Sequence, residues 1–143
     1  MKVTYHHNLW EETKERSPRV RFGQVHVYNN LYVVRQSATF GYSIGLGHRS
    51  AVLSQNNVWL VPPDLHAGRL VRSYKGEVFE DHGSTINGLP VDWPLALSAV
   101  QPEVKLQTTA GWQPLPGPTI DPADQVAARV RARAGAGRLW TAP

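Results

Sequence analysis

One repeated pattern in the first half of the chain narrows the folds open to it. Aligned on Asn8, Asn30 and Asn57, which lie 22 and 27 residues apart, the neighbouring residues fall into chemically matched rows. Val3, Val25 and Val52 form one row, and His7, Asn29 and Asn56 form another. After the asparagines come Leu9, Leu31 and Val58, then Trp10, Tyr32 and Trp59. Apolar and polar residues alternate around these rows, which is the signature of a strand. Hairpins are excluded, because the intervening segments are too long for tight turns. Copies stacked in one direction give a parallel β-solenoid, with strands of successive coils about 4.8 Å apart. An asparagine recurring at one corner then forms a ladder of side-chain amides along the stack. Asn87, inside Gly83-Ser84-Thr85-Ile86-Asn87-Gly88, is expected to mark one more turn.

The rest of the chain is read around this frame. Gln36 to Arg49, with Gly41, Gly45 and Gly47, reads as a looser excursion from the second coil. Val61-Pro62-Pro63-Asp64 is a turn. Val71 to Val78 and Ser84 to Val91 hold further short strands. From Asp92 to Gly117 the chain is proline-rich without a clear period, and irregular structure is expected. Asp121-Pro122 reads as a helix start, with Asp as N-cap and Pro at the first helical position. Ala123, Val126, Ala127 and Val130 then share one helical face, with Arg129, Arg131 and Arg133 largely outside and Gly135 and Gly137 as the stop. The expectation is one domain over 1–143, with β-helix coils over 1–91 and an irregular tail over 92–143 that carries a short helix at about 122–134. The fold class is all-β.

A chain of 143 residues can bury a core as one domain. It has no cysteine, so disulfides and thiolate metal sites are excluded. No apolar run is long enough to span a membrane, and no leader peptide is visible after Met1-Lys2. The net charge of +4 favours a polyanionic partner. No recognisable nucleic-acid module accompanies it.

Much of that charge sits in Arg16-Ser17-Pro18-Arg19-Val20-Arg21. If Val20 and Phe22 face the core, alternation sends Arg19 and Arg21 outward. A bend at Pro18 would bring Arg16 to the same face. Guanidinium forks gathered there would match carboxylates in a bidentate manner. The bland alternative is a set of surface arginines paired with Glu11, Glu12 and Glu15. His6 and His7, as strand neighbours, are expected on opposite faces in a structural or ladder role, not as joint metal ligands.

Val3-Thr4-Tyr5-His6-His7-Asn8, then Arg16 to Gly23, then Val25-His26-Val27-Tyr28-Asn29-Asn30-Leu31-Tyr32 resemble the central block of pectate lyases of polysaccharide lyase family 1. Ser54-Gln55-Asn56-Asn57-Val58-Trp59 fits the next coil, and the tail from Leu70 to Trp140 is similar to actinobacterial members. The resemblance implies a right-handed parallel β-helix and β-elimination on de-esterified polygalacturonate, assisted by calcium, in a secreted protein. It implies Arg16 as the base and Arg21 as a substrate-carboxylate ligand, with a weaker claim for Arg19. It also implies that the family's calcium carboxylates, its Trp-Ile-Asp-His segment and a substrate-binding lysine lie upstream of the matching block, so no metal ligand is expected in this chain. Neither Lys2 nor Lys14 stands in that lysine's place. The expected partners are acidic polysaccharide and the remaining coils of the β-helix. Two further readings stay open: a non-catalytic solenoid that binds acidic polysaccharide, and a pectin lyase.

Overall fold

The computed structural model describes residues 1–115 and 119–136. Four coils stack along one axis. The first holds β1 (Lys2–His6), β2 (Leu9–Glu11) and β3 (Arg19–Val20), and the second β4 (Gln24–Tyr28), β5 (Leu31–Val33) and β6 (Ile44–Gly47). The third holds β7 (Ala51–Gln55), β8 (Val58–Leu60) and β9 (Val71–Tyr74). The fourth holds β10 (Val78–His82) and β11 (Thr85–Ile86), after which β12 (Leu89–Pro90) folds back. Three sheets result, in the orders β1-β4-β7-β10, β2-β5-β8-β11-β12 and β3-β6-β9. Every pairing is parallel except β11 with β12. This is a parallel β-helix.

The registers match the sequence rows: Val3 pairs with Val25 and Val25 with Val52, and Trp10 pairs with Tyr32 and Tyr32 with Trp59. Inside the coils the same rows build the core. The Tyr32 and Trp59 rings stack 4.7 Å apart, 6° from parallel, and Trp10 lies 6.4 Å from Tyr32. Like residues at one register position place like shapes one strand spacing apart, so the core fills by stacking.

The corner between the first two sheets needs a left-handed residue in each coil. His7, Asn29, Asn56 and Gly83 occupy it, with φ of 53°, 51°, 45° and 74°. Asn and Gly tolerate that region best, which explains the composition of the row. The next residue is the ladder. Asn8 Nδ2 donates to Asn30 Oδ1 at 2.9 Å, and Asn30 Nδ2 to Asn57 Oδ1 at 3.0 Å. The following rung is Ser84, whose hydroxyl accepts from the Asn57 N–H at 3.1 Å. The fourth coil is the further turn expected at Gly83 to Gly88, but Ser84 and not Asn87 continues the ladder. Thr85 pairs with Val58, which puts Ser84 opposite Asn57. The Asn87 amide instead closes on the backbone of Val61, accepting from its N–H and donating to its C=O, both at 3.0 Å.

Two stretches expected to be irregular contain ordered elements. Gln36 to Arg49 contains β6, the middle strand of the third sheet. Its glycines hid it from strand reasoning, yet Ile44 and Leu46 are fully buried. The tail beyond Asp92 contains α1 (Trp93–Val100). The Asp92 side chain caps it by accepting from the Leu95 N–H at 3.0 Å, and Trp93, Ala96 and Leu97 are buried beneath it.

The second helix, α2 (Ala123–Arg133), buries Val126 and Val130 against Leu31, Val33 and Val58. Its N-cap position is Pro122, with no side-chain cap. Asp121, expected as the cap, acts otherwise. Its N–H donates to Asn29 Oδ1 and its C=O accepts from the Asn29 and Asn56 amides, each at 2.8 Å. Its carboxylate takes His7 Nε2 at 3.0 Å and the Arg129 guanidinium. One residue thus ties the returning chain to three successive coils. Gly137, expected with Gly135 as the helix stop, and Arg138 lie outside the described residues.

Candidate active site

The loop that carries Arg16 is pinned by its neighbour. Ser17 is buried; its N–H donates to Ser43 O at 2.8 Å, and its C=O accepts from the Tyr32 hydroxyl at 2.8 Å. Burial pushes the Tyr32 phenol far above its ordinary value, so it stays a neutral donor. The Ser17–Pro18 peptide is cis. Arg16 itself is left-handed, with φ of 64°, and extends into solvent, where its Nε donates to Glu15 Oε1 at 3.1 Å.

Arg19 and Arg21 lie together on the third sheet. Arg19 begins β3 beside Gly45 of β6, which pairs with Arg72 of β9. The Arg19 guanidinium sits 4.0 Å over the Tyr74 ring, and that of Arg72 lies 5.3 Å from it. Gly45 makes this possible: a Cβ there would stand 2.8 Å from the Tyr42 ring and 3.0 Å from Arg19 Cγ. Gly47 is more constrained still, since its Cβ would meet Val20 O at 2.3 Å. Arg21 reaches beside Phe22, its Cζ 5.1 Å from the ring. Phe22 is not a core residue as alternation suggested. The strand ends at Val20, Phe22 has φ of 51°, and its ring is half exposed against His48.

A cleft of about 250 Å³ opens here, lined by Arg19, Arg21, Gly47, His48, Tyr74 and Lys75. Three cationic side chains and no carboxylate line it. Arg16 is not among the lining residues, so the structure brings Arg19 and Arg21 together and leaves Arg16 on the preceding loop. The acidic neighbours are engaged elsewhere: Glu15 with Arg16, Glu11 with the Arg35 guanidinium and Glu12 with the Arg35 N–H. The pairing of surface arginines with these glutamates therefore holds for Arg16 and not for Arg19 or Arg21. Tyr42 packs 5.3 Å from Tyr74 below the cleft, and burial, with Tyr74 beside it, raises the Tyr42 phenol above its ordinary value.

With this geometry in place, a family model described as pectate lyase matches residues 1–107. The chain belongs to the pectate lyase family. It is 37% identical to a pectate lyase of Bacillus subtilis over 97% of its own length and 32% of that protein's. It is 41% identical to pectate lyase E of Dickeya chrysanthemi over 62% of its length and 24% of that relative's. Among solved structures, a pectate lyase bound to a hexasaccharide superposes with a TM-score of 0.83 at 36% identity, over 95% of this chain and 33% of the other. A thermostable pectate lyase superposes with a TM-score of 0.87 at 31% identity, over 96% of this chain and 35% of the other. The chain thus spans about a third of the length of the relatives it matches, and its fold is the right-handed parallel β-helix of pectate lyases.

Calcium dependence is a property of the pectate lyase family, and the described residues do not fit a calcium site. Calcium takes six to eight oxygen ligands, several of them carboxylates. Among the described residues no three His, Asp or Glu side chains converge, and the cleft offers none.

Four residues on or beside this cleft are not legible in the arginine motif: His48, Arg72, Tyr74 and Lys75. The signal was the coil spacing itself. Carried from Arg19 through Gly45 it lands on Arg72, but the glycine-rich β6 rung between them carries no strand signature. The His6–His7 reading also changes. β1 ends at His6 and His7 turns left-handed, so the two rings meet, Nδ1 to Nδ1, at 2.9 Å. His7 does hold the corner row, as a ladder role requires.

Proposed function

We propose that this chain supplies the arginine face of a pectate lyase that cleaves de-esterified polygalacturonate by β-elimination. The supporting observation is the cleft lined by Arg19, Arg21 and Lys75 with no carboxylate on its wall. A uronate polymer brings one carboxylate per sugar, and guanidinium forks on a rigid sheet edge bind carboxylates bidentately. Arg21 and Arg19 are the substrate-carboxylate ligands in this reading. Arg16 is the base that takes the C5 proton, which lies α to the carboxylate. The electron pair forms the C4–C5 double bond, the bond from C4 to the glycosidic oxygen breaks, and that oxygen takes a proton from water.

A guanidinium ordinarily stays protonated. For Arg16 to accept a proton, its ion pair with Glu15 must open, and the reaction belongs at alkaline pH. No step is assigned to calcium, because ligands for it are not found among the described residues. In the family such enzymes are secreted, and the same compartment is proposed here. No helix among the described residues is long and apolar enough to cross a membrane.

That no cluster of carboxylates and histidines converges among the described residues favours a second reading, a solenoid surface that holds acidic polysaccharide without cleaving it. One assay separates them: the full chain is incubated with polygalacturonate and calcium at alkaline pH, and unsaturated product is followed by ultraviolet absorbance. The lyase reading expects product that Arg16→Ala abolishes. Binding without product establishes the second reading. Faster turnover of methylated polymer without calcium would point to pectin lyase chemistry.

A further inference from the structure

The outer face of the β1–β4–β7–β10 sheet carries a second cleft. The chain after α1 crosses this sheet. Gln107 bridges Val78, the Ala110 N–H donates to Glu80 Oε2 at 2.6 Å, and Trp112 Nε1–H donates to Ala51 O at 3.3 Å. Beyond Trp112 the segment encloses a cleft of about 210 Å³ against the first two coils, with Lys2, Thr4, Gln24 and His26 on the sheet side and Trp112 and Gln113 opposite. It shares no lining residue with the arginine cleft.

Its polar groups are ready for a ligand. Among the described residues the side chains of Lys2, Thr4, Gln24 and Gln113 have no hydrogen-bonding or ionic partner. The indole of Trp112 is held by its bond to Ala51 O, so its N–H is already used. Burial keeps the His26 imidazole below its ordinary value, which leaves Lys2 as the cleft's one cation at neutral pH. The size is below the roughly 300–1,000 Å³ of drug-sized pockets, which suits a single ring.

Amides and a hydroxyl beside a fixed indole match the hydroxyls and apolar C–H face of a sugar. The lone ammonium adds a place for one carboxylate. We infer that this cleft is a second saccharide site that takes one uronate ring of an acidic polysaccharide. This rests on the polymer proposed above. Two anchoring points on one chain raise the effective concentration of polymer at the arginine face.

The test is a titration of the isotope-labelled full chain with trigalacturonate, following the Trp112 indole N–H by NMR. Its signal is assigned by its loss in Trp112→Phe. The expected result is a saturable shift in the unmodified chain and in Arg19→Ala/Arg21→Ala. Lys2→Ala/Gln24→Ala, both at the cleft wall, should weaken that response about tenfold without changing the rest of the spectrum. A Trp112 signal that stays still at high ligand, or moves equally in Lys2→Ala/Gln24→Ala, overturns the second site. Total binding that is unchanged in Arg19→Ala/Arg21→Ala, with the Trp112 shift intact, overturns the arginine-face reading instead.

Discussion

Two faces of this β-helix obey opposite rules. At the corner between the first two sheets, every coil repeats the last: a left-handed residue, then Asn8, Asn30, Asn57 and Ser84, each bonded to the next. On the third sheet the repeat breaks down. Arg19, Gly45 and Arg72 share one row and have nothing in common but register. The corner bonds its own polar groups and buries Asn29, Asn30, Asn57 and Ser84; the sheet edge leaves guanidiniums beside a cleft with no acid on its wall. Repetition therefore marks the part of the chain that holds the stack together, and departure from it marks the arginine face proposed above to take polymer.

Substitution at the corner should do the most damage. Asn57 Oδ1 accepts from both the N–H and the amide of buried Asn30, and its own amide donates to Val27 O and Ser54 Oγ. Asn57→Ala strands several of these groups out of water, at about 3–5 kcal/mol in total, read as a lower urea midpoint. Gly47→Ala comes next. Its new Cβ would stand 2.3 Å from the Val20 carbonyl oxygen, with Arg21 Cβ at 3.3 Å, and backbone yields less than a side chain. A loss of about 1–3 kcal/mol is expected, with weaker polygalacturonate binding because β3 and the following Arg21 move. Equal stability of wild type and Asn57→Ala would erase the distinction between the two faces.

The Asp121 clip gives a smaller, pH-dependent effect. Its carboxyl is held below its ordinary 3.8, first by the bond from His7 and then by Arg129. A depressed acid favours the fold above its unfolded value, and that stability is lost as pH falls through the folded value. Glu80 behaves alike, held down first by the Ala110 N–H and then by His82. Asp121→Asn should cost about 1 kcal/mol at neutral pH and flatten the acid limb of a stability–pH curve. An unchanged limb would remove the clip from the account.

How much of this was legible in the sequence follows the same division. Rows anchored on asparagine, valine and the stacked aromatics could be read because the corner and core demand like residues at like positions. The middle strand of the third sheet, β6, could not, because Gly45 and Gly47 serve close approach and carry no strand signature of their own. Asn87 marked the fourth coil but not its ladder position, because an asparagine fits several turns and only register shows that Ser84 takes that place. The α1 helix was hidden by surrounding prolines, although Asp92 and Pro94 are a good helix start. Arg16, Arg19 and Arg21 were visible as a cluster, but their separation into a loop residue and a cleft pair depended on Ser17 and Gly45.

Removing the guanidiniums themselves should scarcely affect stability. Arg19→Ala/Arg21→Ala loses two exposed ring contacts, Arg19 over Tyr74 and Arg21 beside Phe22, under about 1 kcal/mol each. The decisive measurement is therefore the polygalacturonate affinity of Arg19→Ala/Arg21→Ala set beside its urea midpoint. The account predicts binding at the arginine face lost by at least about tenfold with the midpoint nearly unmoved. Full affinity in that variant, or a midpoint that falls as far as it does in Asn57→Ala, would contradict it.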